Sequence, residues 1–171
     1  MTPDNLRRWV ARIAAFDGWS VAALGGVCVV LSLLWLSLTG LLIGGAGVAS
    51  GAMELTGRRR LLDGRPYARA WLAGSQVLLL GAILLYAGYR LATFDPQEFT
   101  RQLSPDLLDA LKDAFGEDLN QLVARSVRLM YEALIIAALL YQGGLCLFYA
   151  LATRKLAPSA PSQAGGGSGP R

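Results

Sequence analysis

Thirty-six consecutive residues, Gly18 to Met53, carry no charged side chain, and that run decides most of what the chain can become. A soluble domain of this size has no use for so long an apolar stretch, whereas a membrane segment requires one. As a single helix it would be about 54 Å long, against a hydrocarbon core about 30 Å thick. Two helices of about 18 residues fit that thickness. The sequence therefore predicts a helical hairpin with spans at 19–37 and 40–57 and a turn near Ser37-Leu38-Thr39-Gly40. The alternative is a wedge that dips into one leaflet without crossing it.

Two further spans follow. Residues 71–91 open on Trp71 and close on Tyr86, Tyr89 and Arg90, the aromatic and basic flanks expected at an interface. Residues 129–153 form the fourth span, within one continuous helix of about 37 residues starting near Glu117-Asp118. The expected fold is all-α: a four-span transmembrane helical bundle forming a single membrane domain at 1–156. Apolar residues make up 54% of the chain, which agrees with the membrane class.

The flanks have their own character. Leu6, Trp9, Val10 and Ile13 share one helical face and Arg7, Arg8 and Arg12 another, which predicts an interfacial amphipathic helix at 4–16 capped by Asp4. Residues 58–70 are a short basic loop with five arginines. Residues 92–128 are an acidic extracytoplasmic helical segment, with seven acids against four bases. Within it, Ser104-Pro105-Asp106 starts a short helix whose apolar face holds Leu107, Leu108, Leu111, Ala114 and Phe115, with Gly116 as its C-cap. Residues 157–171, rich in Pro, Gly and Ser, are expected to form a disordered tail.

Eleven of the sixteen basic residues fall on the side of the N-terminus, the arginine loop and the tail. The positive-inside rule then puts both termini in the cytoplasm and the acidic segment outside, in a plasma membrane of the bacterial inner type. The arginines near the membrane, Arg7, Arg8, Arg12, Arg58, Arg59 and Arg60, are expected to touch anionic lipid headgroups. The net charge of +4 belongs to these flanks and does not indicate nucleic acid.

Two glycine patterns predict helix packing. Gly40, Gly44, Gly47 and Gly51 lie on one stripe of the second helix, and Gly74, Gly81 and Gly88 repeat every seven residues in the third. Small residues let backbones approach where lipid offers no hydrophobic drive for association. The sequence Gly45-x-Gly47 also resembles a fragment of a dinucleotide fingerprint, but the parallel sheet that fingerprint needs has no counterpart in this chain.

Catalytic chemistry has little to work with. Histidine is absent and the two cysteines, Cys28 and Cys146, lie within apolar spans. No nucleophile–base set, metal-ligand spacing or phosphate-cradling motif occurs. No catalytic residue, metal or cofactor is therefore expected, and the chain is not expected to be an enzyme. The polar residues inside the spans are the functional candidates. Glu132 and Arg90 have matching depth and are expected to pair. Gln76 and Gln142 are candidate interhelical contacts. Glu54 is accounted for by snorkelling or by pairing with Arg58. The function these features suggest is an accessory, assembly or scaffold subunit, working through its glycine-striped helices on another membrane protein or on itself. A small oligomeric transporter or channel using Glu132 and Gln142 is one alternative, and a membrane-shaping hairpin is another.

Overall fold

A computed structural model describes residues 2–101, 104–115 and 119–155. All the regular structure of the described residues is helical, in the order α1 (Pro3–Leu34), α2 (Leu38–Leu62), α3 (Ala68–Thr93), α4 (Pro96–Arg101), α5 (Pro105–Phe115) and α6 (Leu119–Lys155). Four of these helices, α1, α2, α3 and α6, are long and apolar enough to cross a membrane. The tail at 157–171, the Gly116 cap and the Glu117-Asp118 helix start lie outside the described residues.

The first helix departs from expectation. It runs unbroken for 32 residues from Pro3, with no separate interfacial helix at 4–16. Thr2 caps it, its hydroxyl accepting from the Asn5 amide at 3.4 Å, while Asp4 sits in the first turn. Gly18 is the only weak helix former near the expected break, and one glycine costs only about 1 kcal/mol in a helix. Burial more than offsets it. Val10 and Ala14 are fully buried and pack with Leu61, Ala68, Leu72, Tyr149 and Ala152. Trp9 meets Phe148 edge to face, with ring centroids 5.3 Å apart.

The turn between α1 and α2 lies at Trp35-Leu36-Ser37, slightly earlier than predicted. Leu36 takes a left-handed backbone with φ 50°. The Ser37 amide donates to the Ser32 carbonyl at 2.8 Å and the Leu36 amide to Leu33 at 3.4 Å, a Schellman closure. Ser37 then caps α2, accepting from the Gly40 amide at 3.3 Å. The basic loop expected at 58–70 is mostly helical: Arg58, Arg59 and Arg60 continue α2 and Arg69 lies in α3, so that only residues 63–67, with Arg65, form the arginine loop, which uses the same device at the end of α2. Gly64 has φ +66°, and the Arg65 amide donates to Arg60 at 2.8 Å. There the left-handed residue is a glycine, which adopts that conformation at no steric cost.

Successive spanning helices run antiparallel, and α6 returns along α3. The α1–α2 contact is the tightest. A Cβ at Gly51 would stand 2.5 Å from the Gly18 carbonyl oxygen, and one at Gly44 would stand 2.8 Å from the Val29 nitrogen. Gly40 faces Ser32 and Gly47 faces Gly25. The stripe on α2 thus closes on Gly18, Ala22, Gly25 and Val29 of α1 in the same chain. The α3 repeat is different. A Cβ at Gly74 would reach the Met53 methyl at 3.4 Å, while Gly81 and Gly88 have nothing within 4 Å. The seven-residue repeat is therefore not a continuous seam within the bundle: Gly81 faces the groove where α2 and α3 separate, and nothing approaches Gly88.

The α2–α3 contact is closest near the arginine loop. Ser50 donates to the Ser75 carbonyl at 2.8 Å, and Gly57 lies against Leu72. Arg60 stacks over Trp71 at 5.1 Å. Toward the other end α2 and α3 separate around an apolar groove. In the acidic segment, Asp95 caps α4 by accepting from the Gln97 amide at 2.8 Å. Leu107 and Ala114 of α5 are exposed rather than covered by the bundle.

Candidate functional site

Polar residues from all four spanning helices meet one to two turns inside the arginine-bearing end. Asp17 comes from α1, Glu54 from α2, Gln76 from α3, and the buried Tyr149 and the exposed Tyr141 from α6. Glu54 and Gln76 are each 1% exposed, Asp17 4%, and Tyr149 is fully enclosed. At the centre is the Gln76 amide. Its Nε2 donates to Asp17 Oδ2 at 3.0 Å and to Glu54 Oε2 at 3.1 Å. The Tyr149 hydroxyl donates to Glu54 Oε1 and the Tyr141 hydroxyl to Asp17 Oδ1, the latter at 2.9 Å. Each carboxylate therefore accepts two hydrogen bonds, and the three side chains that donate them are neutral.

Local sequence explains how the helices aim these groups. On α6, Tyr131, Ala138, Gln142 and Tyr149 are buried at spacings of seven, four and seven, one inward stripe. On α2, the small residues Ser50, Gly51 and Gly57 around Glu54 bring α1 and α3 close enough for Glu54 to be sealed. On α3, Leu72, Ser75 and Gln76 form the buried face.

The electrostatics are unusual for a membrane interior. Among the described residues no basic side chain forms a salt bridge with Asp17 or Glu54. Arg58, one turn from Glu54, donates its Nε to the Ala11 carbonyl at 3.1 Å instead. Two unit charges sharing one donor nitrogen, about 6 Å apart at most, repel by at least about 3 kcal/mol at an effective dielectric of about 20. Removing each from water costs several kcal/mol more. A single proton shared by the pair would relieve both terms. The cluster thus places two carboxylates on one neutral donor with no salt-bridged basic side chain beside them among the described residues. Among the described residues no group of three or more His, Cys, Asp or Glu side chains is placed to hold a metal ion.

The other sequence candidates are placed as follows. Glu132 pairs with Arg128, one turn earlier on the same helix, at 2.8 Å. Arg90 donates its Nε to the Tyr131 hydroxyl at 3.3 Å. The expected Glu132–Arg90 pair is therefore not formed, because each residue has a nearer partner. Glu54 is not held by Arg58, as described above. Gln142 is 5% exposed and its Oε1 is a buried acceptor with no partner among the described residues. Gln76 makes interhelical contacts on both sides. Cys28 and Cys146 are free thiols. Gly40, Gly44, Gly47 and Gly51 line the α1 contact, whereas Gly81 borders the apolar groove. Asp17 and the two tyrosines had no place in the sequence reading. The one available signal for Asp17 was an acid followed immediately by the uncharged run and preceded by Ile13-Ala14-Ala15-Phe16, an apolar setting on both sides.

Comparison with protein-family models, curated proteins and solved structures finds no match. The functional reading therefore stands on the chemistry of this cluster.

Proposed function

We propose that this is a small, non-catalytic integral membrane protein of the transporter-or-channel class, in which the Asp17–Glu54 pair binds and releases a proton inside the bundle. One observation carries the reading: two carboxylates from different helices share a buried donor and have no basic partner among the described residues. Ionisable groups inside a span are costly, and proton relays are a recurrent reason for keeping them. Their depth favours exchange with the arginine-bearing side. Glu54 is four residues from Arg58 and Asp17 five from Arg12, about 6–8 Å by helix rise.

We place both termini and the arginine loop in the cytoplasm of a bacterial inner membrane, on the charge asymmetry of the flanks. The arginines there are the proposed contacts for anionic headgroups. Each helix of the α1–α2 hairpin, about 48 and 38 Å long by helix rise, is long enough to cross rather than to wedge. The competing function is an accessory or scaffold subunit. It loses support because the α2 glycine stripe, its intended docking surface, is occupied by α1 of the same chain.

Flux measurements separate the two. The purified protein in liposomes, under an imposed potassium diffusion potential, should accelerate acidification reported by a lumenal pH dye. Glu54→Gln and Asp17→Asn should fall to the protein-free rate while keeping their helical content, and Glu132→Gln should keep the flux. A wild-type rate equal to that of empty liposomes contradicts the transport reading. A stoichiometric membrane partner retained in mild detergent would then favour the accessory role.

A further inference from the structure

The end of the bundle opposite the arginine loop contains a second site, unrelated to the carboxylate pair. Where α2 and α3 separate they leave a groove of about 730 Å³, lined by Thr39, Leu42, Ala46, Val77, Gly81 and Leu85 among others. It is almost wholly apolar, and Gly81 adds no side chain to it. Such a groove in a bilayer fills with hydrocarbon, since neither water nor vacuum is stable there. Its mouth is polar. Thr39, Ile43, Tyr86 and Tyr89 are shared with an adjoining cup of about 470 Å³ that also contains Ser32, Ser37 and Arg90. Arg90 in turn borders a third, smaller cup of about 250 Å³ with Asp95 and Glu98.

The sequence of surfaces is therefore apolar slot, then a guanidinium, then two carboxylates. Arg90 forms no salt bridge among the described residues, and its Nε hydrogen bond goes to a neutral tyrosine. Asp95 and Glu98 are both exposed. We propose that this groove holds one phospholipid with a primary-amine zwitterionic headgroup, of the phosphatidylethanolamine type. An acyl chain lies in the α2–α3 slot, the phosphate sits on Arg90, and the ammonium faces Asp95 and Glu98. Charge complementarity selects this occupant. An anionic headgroup of the glycerol type would also place its phosphate on Arg90 but would bring no cation to the two carboxylates. A quaternary ammonium offers no N–H to them.

The test is native mass spectrometry of the full chain, released from mild detergent after equilibration with equal amounts of phosphatidylethanolamine, phosphatidylcholine and phosphatidylglycerol. The wild type should retain one lipid, with the ethanolamine lipid preferred. Arg90→Gln should weaken retention of all three by about tenfold or more, the loss of one charge-assisted hydrogen bond. Asp95→Asn with Glu98→Gln should abolish the preference and leave binding. Gly81→Leu projects into the slot from a position where an added Cβ has nothing within 4 Å, and should lower retention while the helical content stays unchanged. Equal retention of the three lipids by the wild type, or no retained lipid, overturns the proposal. So does retention that survives both Arg90→Gln and Gly81→Leu. A lipid-free dimer that Gly81→Leu dissociates also overturns it, because a second copy then fills the groove.

Discussion

Replacing Gly51 by alanine adds one methyl group where α2 comes closest to the backbone of α1. Its Cβ would lie 2.5 Å from the Gly18 carbonyl oxygen, 2.7 Å from the Ala22 Cβ and 2.8 Å from the Ala22 nitrogen. Two of these three atoms are backbone and the third is fixed to it, so no side-chain rotation relieves the clash. The helices must move apart, which loosens the neighbouring Gly44 and Gly47 contacts as well. Overpacking of this kind costs about 1–3 kcal/mol, and three contacts this short argue for the upper half of that range. Helix propensity returns about 1 kcal/mol, because alanine is the better helix former, leaving a net loss of about 1–2 kcal/mol. Gly45→Ala is the matched control: the same helix, with nothing within 4 Å of the added Cβ. It should gain up to about 1 kcal/mol from propensity alone. Reversible unfolding in mixed micelles, followed by loss of helical circular dichroism, measures both. Equal stabilities for Gly51→Ala and Gly45→Ala would refute the close-contact account of this hairpin.

Further outcomes follow from the same contacts. Tyr149→Phe removes one donor from Glu54 and should destabilise the bundle by about 1–2 kcal/mol in the same unfolding assay, at the upper end of hydrogen bonds measured in membranes. Gln142→Leu removes a buried acceptor that has no partner among the described residues, and should be neutral or stabilising, whereas Gln76→Leu should be the most damaging single change in the cluster. Arg90→Gln and Glu132→Gln should act additively on stability, since the two residues have separate partners; a coupling above about 0.5 kcal/mol in the double mutant would mean that they pair after all.

The four spans were legible because hydrophobic length and the absence of charge are properties of contiguous sequence. The α2 glycine stripe was legible for a similar reason: its spacing is a helical period. What it packs against was not, since Gly18 and Gly25 of α1 form no comparable run. The polar core was the least legible part. Glu54 bonds to Gln76 and Tyr149, 22 and 95 residues away, and Asp17 to Gln76 and Tyr141, 59 and 124 residues away. A local reading instead offers Arg58 for Glu54, and the fold turns that arginine toward the Ala11 carbonyl. For Glu132 the error ran the other way. Equal depth suggested a partner on α3, but depth does not fix azimuth, and Arg128 at i−4 was already in place. Asp17 was hidden by the assumption of a break before Gly18. With α1 continuous, the residue that reads as a flank becomes an interior group.

The central claim is that the buried pair carries an exchangeable proton, and infrared spectroscopy of the protein in lipid measures this directly. At neutral pH the surface carboxylates are ionised, so a protonated-carboxyl C=O stretch reports the buried pair. The account predicts such a band in the wild type, shifted by deuterium exchange and removed or displaced in Glu54→Gln. A spectrum without that band, with both carboxylates ionised at neutral pH, would contradict it.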